Sequence, residues 1–415
     1  MSKELAVYLN DIYVGDLKQE VSGSLAFAYD DGYLDSSNQA ISLSLPKEEK
    51  AFKDHRVKSF FSSLLPDDLL REKLATYLGV SNRNPFALLR EVGRECAGAL
   101  SVYPKGEMPS EEGAAEEVLD ATRLEEVILL LRKRPLLAGK DGLRLSLAGA
   151  QDKLAIGFRE GRAIIKGKSP TTHILKPSIE GIEASVENEL FCMRLAKAVG
   201  ISVPNTYLIK EENSRGFIVE RYDRCIHKDG SVERIHQEDF CQALGIPPEM
   251  KYEREGGPSI DSCYLLMDQN FSFPARDKLK FIDRVIFNYL IGNSDAHGKN
   301  FSVLYKDGRI ELAPAYDLLS TDIYPGLSKK MAMKIGGQYV PEDVMLRHWF
   351  RLVPNQKASI NLIKKKLGQL AAELPRKAST LKQELNHEGI HAEVMDEIIR
   401  VIKTRSSRVL KHLNE

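Results

Sequence analysis

In residues 278–291 the apolar positions Leu279, Ile282, Val285, Ile286, Tyr289 and Leu290 recur at helical spacing. The period then changes. Residues 301–305 predict a strand, Lys306-Asp307-Gly308 a hairpin turn, and residues 309–314 the returning strand. Between helix and strand lies the polar stretch Asn293-Ser294-Asp295-Ala296-His297-Gly298-Lys299-Asn300. Upstream, residues 154–158 and 173–177 predict strands, 184–199 a helix, and 216–224 a buried strand that turns polar at its end. Near the N-terminus the alternation of Leu5, Val7 and Leu9 predicts a strand, with hairpin-like turns at Asn10-Asp11 and Asp30-Asp31-Gly32. Helices are expected over 58–79, 85–92 and 121–134, and long helical patterns rich in Lys and Arg over 360–413.

The chemistry sits where the period changes. An Asp followed five positions later by an Asn, in a short loop between helix and strand, is the arrangement of a kinase catalytic loop. The carboxylate of Asp295 would face the attacking hydroxyl of a substrate. The carboxamide oxygen of Asn300 would face a magnesium ion on ATP phosphates. The following hairpin returns a second acid, Asp317, after Tyr316, and magnesium takes oxygen ligands of this kind. Asp, Asn, Gly and Ser are also ordinary turn residues, so the octapeptide alone does not decide.

Parts of a nucleotide lobe occur upstream in a sensible order. Residues 144–153 form a small-residue loop whose backbone N–H groups could approach phosphate, although a plain tight turn has the same composition. Lys176 ends an apolar strand, within reach of phosphates or on an edge in solvent. Glu187 and Glu189 on the next helix are both able to orient it, and most such glutamates face water. At the end of the following strand, backbone groups of Glu220 and Tyr222 would pair with adenine and Asp223 would accept from ribose, an assignment resting on order along the chain.

Composition narrows the class. The 415 residues are too many for one core and fit two or three domains. Lys plus Arg and Asp plus Glu number 59 each, so no whole-chain basic field favours independent DNA binding. The cluster Arg376-Lys377 with Lys382 could touch a phosphate backbone, or simply form a solvated helix face. The five cysteines (Cys96, Cys192, Cys225, Cys241, Cys263) are odd in number, lack metal spacing and read as reduced cytoplasmic residues. No run is long enough to span a bilayer and no signal-peptide core is visible, so no membrane association is expected.

With these pieces in order, the chain resembles the HipA family of bacterial serine/threonine kinases, toxin components of toxin–antitoxin pairs linked to persistence. The matching stretches are Val7-Tyr8-Leu9-Asn10, Phe60-Phe61-Ser62-Ser63-Leu64-Leu65-Pro66, Cys96-Ala97-Gly98-Ala99-Leu100, Ser146 to Lys153, His173-Ile174-Leu175-Lys176-Pro177, Glu220 to Arg224, Gln237-Glu238-Asp239, Gly292 to Asn300 and Tyr316-Asp317. The resemblance implies an α+β, two-lobed, protein-kinase-like fold related to atypical and lipid kinases. A small N-terminal α+β module (1–103) would be followed by a linker or loop (104–120), a nucleotide-binding lobe (121–223) and a mostly helical catalytic lobe (224–415). It makes Asp295 the catalytic base, Asn300 and Asp317 the Mg2+ ligands, and Lys176 an ATP-phosphate contact. The expected nucleotide site comprises Ala148, Gly149, Ala150, Gln151, Asp152, Lys153, Lys176, Glu220, Arg221, Tyr222, Asp223, Gln237, His297, Gly298, Lys299, Asn300, Tyr316 and Asp317. Ser146 would be an autophosphorylation site. The implied partners are a HipB-like helix-turn-helix antitoxin, operator DNA mainly through that antitoxin, and a protein substrate in translation such as glutamyl-tRNA synthetase. A small-molecule or lipid kinase, and a catalytically dead co-repressor scaffold, are the competing readings.

Overall fold

The computed structural model describes residues 3–36, 39–53, 55–109, 116–133, 135–137, 149, 151–165, 170–210 and 214–415. The chain divides into two compact units. One comprises Met1–Pro177, Ile209–Lys251 and Ser302–Ile310; the other comprises Ser178–Leu208, Tyr252–Phe301 and Glu311–Glu415. The fold is mixed α+β.

In the first unit the N-terminal alternation becomes β1 (Glu4–Leu9), β2 (Ile12–Gln19) and β3 (Leu25–Tyr29), joined by β4 (Leu100–Pro104) in the order β3-β2-β1-β4. Asn10 and Asp11, both at positive φ, make the tight β1–β2 turn, as their residue types favour. Leu5, Leu17, Phe27, Phe60 and Phe61 are fully buried in the core of this module. The second sheet contains β5 (Glu117–Val118), β6 (Leu154–Arg159), β7 (Arg162–Ile165), β8 (His173–Pro177), β9 (Thr206–Lys210) and β10 (Arg215–Glu220). Its order is β5-β7-β6-β8-β10-β9, which makes β8 an interior strand. Ile128, Leu131, Leu154, Ile156, Leu175 and Ile218 form its core. Two small sheets follow, β11 (Arg224–Ile226) with β12 (Val232–Arg234), and β13 (His236–Asp239) with β14 (Ser302–Lys306) and β15 (Arg309–Leu312). The predicted catalytic hairpin is thus β14–β15, with Asp307 and Gly308 at positive φ in its turn.

The second unit is mainly helical. Its helices include Ser185–Ala198, Ile260–Asn270, Pro274–Ile291, Lys357–His387 and Val394–Asn414. The last two pack together through buried Leu367, Leu374, Leu385, Met395, Ile398 and Ile402, the apolar stripes expected of amphipathic helices.

Several expectations are corrected. The helical pattern over 58–79 is two helices, His55–Ser63 and Asp68–Leu78, because Pro66 between them cannot continue the first. Asp30 does not head a hairpin. Its carboxylate accepts from the backbone N–H groups of Gly32 and Tyr33 and caps a one-turn helix. The stretch 104–120 ends in a strand, since β5 pairs with β7 and Leu119 is buried beside it. Residues 224–239 are strands rather than helix, folded at an Asp229-Gly230 turn. Of the basic cluster, Lys382 is paired with Asp396 at 2.6 Å, while Arg376 and Lys377 are exposed.

Candidate active site

In the second unit the helix Pro274–Ile291 ends at Gly292, which adopts φ +78°. A Cβ there would lie 2.8 Å from Asp322 Cβ and 2.9 Å from Val401 Cγ1, so only glycine fits both the turn and the space. The Gly292 carbonyl accepts from the backbone N–H groups of Thr321 (2.9 Å) and Asp322 (3.0 Å). Asn293 donates to Asn288 Oδ1 (3.0 Å) and accepts the Asp295 N–H (3.1 Å). Ser294 donates its N–H to Thr321 Oγ1 (2.8 Å) and its carbonyl accepts from Ala332 N–H (2.8 Å). The loop is therefore fixed by neighbouring chain segments before it reaches Asp295.

Asp295 is half-buried, and its Oδ1 accepts a 2.6 Å hydrogen bond from the Tyr252 hydroxyl. Burial, and then the Asp295 charge, push the Tyr252 phenol well above its ordinary value, so it stays a donor. The His297 ring lies edge-on to Tyr252 with centroids 5.3 Å apart. Gly298–Asn300 forms a single 3-10 turn that curls Asn300 back toward Asp295. Asn300 Nδ2 donates to the Asp295 carbonyl at 3.2 Å. A carbonyl only accepts, so the contact fixes the amide orientation and turns Oδ1 away from it. Tyr316 donates to the Lys299 carbonyl at 2.7 Å, which ties the second acidic segment to the loop. Asp317, next along, is partly exposed and adopts φ +56°, a left-handed conformation uncommon outside glycine. The structure thus brings together Asp295, His297, Gly298, Lys299, Asn300, Tyr316 and Asp317. The oxygen donors of Asn300 and Asp317 are the type a hard dication takes.

In the first unit, Lys176 lies on interior strand β8 and is only 6 % exposed, not at a solvent edge. Its Nζ sits 5.8 Å from the Phe217 ring centroid, across the β8–β10 pair. Glu187 and Glu189, in the second unit, are both buried rather than solvated. Gln151 donates to the Pro177 carbonyl (3.2 Å), and the Gly149 carbonyl accepts from Asp67 N–H (3.1 Å). Asp152 and Lys153 are partly exposed beside them. Ala148, Ala150 and the expected phosphorylation site Ser146 lie outside the described residues.

The segment after β10 is a correction. Asp223 does not present its carboxylate to a ribose. It accepts from Gly98 N–H (2.6 Å) and Arg221 Nη2 (2.9 Å), forms an ion pair with Arg224 Nη1 (3.1 Å), and is buried. Arg221 also bonds Glu95 Oε1 (3.0 Å), as does Arg224 (3.0 Å), and its backbone N–H donates to the Thr172 carbonyl. Burial opposes the charge on Glu95 and Asp223, yet the two guanidiniums hold both carboxyls below their ordinary range. Arg221 and Asp223 are therefore structural charges that brace the segment. The Tyr222 hydroxyl donates to Gln237 Oε1 at 2.8 Å. Gly98 presses on the same region, because a Cβ there would meet the Gln237 nitrogen at 2.6 Å.

Two family models match the sequence. The HipA N-terminal domain matches residues 5–103 and the HipA-like C-terminal domain matches residues 145–383, more than half the chain. The chain belongs to the HipA family. It is 43% identical over 373 residues to the Sinorhizobium fredii protein Y4mE, covering 88% of this chain and 89% of that protein. It is 30% identical over 389 residues to the serine/threonine-protein kinase toxin HipA of Shewanella oneidensis, covering 90% and 88% respectively. The HipA of a solved Shewanella oneidensis complex of HipA, HipB and operator DNA superposes with a TM-score of 0.84 at 28% identity, over 99% of this chain and 98% of that one.

Sequence reasoning missed Tyr252 and Glu95 in this HipA-family chain. Tyr252 lies 43 residues before Asp295 in a Pro- and Gly-containing stretch with no period. Glu95 adjoins the Cys96-Ala97-Gly98 match, but nothing in that tripeptide announces a buried ion cluster.

Proposed function

We propose that the chain is an ATP- and Mg2+-dependent serine/threonine protein kinase acting as a toxin in the cytoplasm. The observation that carries the reading is the fixed loop that holds Asp295 under Tyr252, aims the Asn300 amide oxygen outward and is tied through Tyr316 to Asp317. Asp295 would accept the proton of a substrate serine or threonine hydroxyl as its oxygen bonds the γ-phosphorus and the bond to the ADP oxygen breaks. Tyr252 keeps that carboxylate oriented. Asn300 and Asp317 would hold the magnesium ion, which when bound neutralises charge on the nucleotide phosphates. Lys176, on its rigid strand, would supply a point charge to the phosphates.

The Shewanella complex, which holds HipA with HipB and operator DNA, supports a HipB-like partner; that partner would be a helix-turn-helix antitoxin that neutralises the toxin and carries it to operator DNA. Zero net charge fits DNA contact made mainly through that partner. The proposed substrate is a protein of translation, an aminoacyl-tRNA synthetase such as that for glutamate. Its phosphorylation would arrest growth and promote persistence, and Ser146 is the proposed self-phosphorylation site. Phosphoproteomics after induced expression, comparing the chain with Asp295→Ala, tests this reading. New phosphoserine or phosphothreonine on one dominant protein only with the intact chain is expected. Label confined to small molecules or lipids, or no ATP consumption at all, would replace the reading by a small-molecule kinase or a co-repressor scaffold.

A further inference from the structure

The β11–β12 hairpin assembles a donor set that the cysteine pattern alone does not reveal. Cys225 on β11 stands opposite Glu233 on β12. His227 lies two positions after Cys225, just past the end of β11, where the hairpin turn begins. Sγ, an imidazole nitrogen and a carboxylate oxygen of these residues all lie within 4.8 Å of one another. His227 Nε2 and Glu233 Oε2 are already 3.2 Å apart. The turn between the strands is held by its own bonds. His227 N–H donates to the Ser231 carbonyl (2.9 Å), Gly230 N–H to the His227 carbonyl (3.0 Å), and Asp229 accepts from both the N–H (2.9 Å) and hydroxyl (2.7 Å) of Ser231.

We propose that this hairpin binds a borderline-soft transition-metal dication, zinc above all, through Cys225 Sγ, His227 Nε2 and Glu233, with water completing a tetrahedron. Metal–ligand bonds of about 2.0–2.3 Å put tetrahedral donors roughly 3.3–3.8 Å apart. The three donors need only a small side-chain contraction to reach that. Thiolate with imidazole excludes magnesium and calcium, which take oxygen ligands, so the site does not compete for the ion at Asn300 and Asp317. The side chains of His227 and Glu233 are 48 % and 59 % exposed, which leaves an open approach for the ion and its water. Cys225 is half-buried, whereas Cys96, Cys192, Cys241 and Cys263 are all buried, so it is the thiol an ion could reach. Binding breaks the S–H bond and releases that proton to solvent. The metal takes the lone pair of the neutral imidazole at Nε2, so the single ring proton sits on Nδ1, reached by exchange through solvent from the tautomer that carries it on Nε2. Because β11 begins at Arg224 of the buried ion cluster, a bound ion stiffens the chain leading away from β10.

The test is titration of the untagged, reduced full chain with Co2+ in excess Mg2+. A thiolate-to-cobalt charge-transfer absorption saturating at one equivalent and bleached by Zn2+ is expected. Cys225→Ser should remove it, and His227→Ala or Glu233→Gln should each weaken binding by about tenfold or more. Zn2+ should also slow alkylation of Cys225 in the native chain but not in His227→Ala, which retains the thiol. No charge-transfer band, a band that survives Cys225→Ser, or alkylation of Cys225 at the same rate with and without zinc would overturn the proposal.

Discussion

The Asp295 carboxylate accepts from the Tyr252 hydroxyl, and that contact is the sharpest handle on the site at the scale of single residues. Tyr252→Phe removes the hydroxyl that orients the carboxylate. A hydrogen bond to a charged group is worth about 1.5–3 kcal/mol, so kcat should fall by roughly tenfold or more while the affinity for Mg-ATP stays within about twofold. Equal loss in both, measured by steady-state kinetics and nucleotide titration, would make Tyr252 merely structural. Asp317→Ala should weaken Mg-ATP binding far more than binding of magnesium-free nucleotide if, as proposed, the lost group is a cation ligand. Calorimetry with and without chelator separates these, and an equal loss would remove Asp317 from the metal site. The loop that carries Asp295 and Asn300 was legible because the two residues stand five positions apart at the change from helical to strand period. Tyr252 was not, because its contact closes through space. Asp223 misled because the sequence shows an acid in the right order, while its guanidinium partners and Gly98 are visible only in the fold.

Among the elements, β13 carries a charge that should be felt in solution. Glu238 on β13 is fully buried and accepts from the Ser42 hydroxyl (2.5 Å), the Leu43 N–H (2.9 Å) and the Tyr305 hydroxyl of β14. Burial lifts its carboxyl to about 7 despite those donors. A folded-state value above the unfolded one means that its stabilising contribution is complete below about pH 4 and is lost as pH rises through 7. Glu238→Gln cannot titrate. Relative to that variant, the native chain should therefore lose stability between pH 5 and 8, by on the order of 3 kcal/mol at most. Denaturant midpoints that run parallel for the two proteins across that range would contradict the assignment. Long periodic elements such as Pro274–Ile291 and the β14–β15 hairpin were readable from apolar spacing. The three-residue strands β11 and β12 and the two-residue β5 were not, since so few positions cannot display an alternation.

Across the whole molecule, one compact unit joins sequence regions more than a hundred residues apart, and the cluster of Glu95, Arg221, Asp223 and Arg224 is part of that joining. Glu95→Gln leaves two buried guanidiniums with a single countercharge, which should cost about 3–5 kcal/mol and lower the melting temperature. An unchanged melting temperature would mean that the cluster is not what braces the segment after β10. No spacing rule pairs residues so distant, so this joining was not legible in the sequence. Among the described residues no helix is long and apolar enough to cross a membrane. On the proposed reading, the loop from Gly292 to Asn300 performs phosphoryl transfer with Asp295 as base. Transfer of γ-phosphate label from Mg-ATP by the purified chain, set beside a folded, ATP-binding Asp295→Asn variant, tests it most directly. Label on protein serine or threonine is expected with the native chain, with a loss of about 10²–10⁴-fold in the variant. Transfer near the native rate by Asp295→Asn would contradict it.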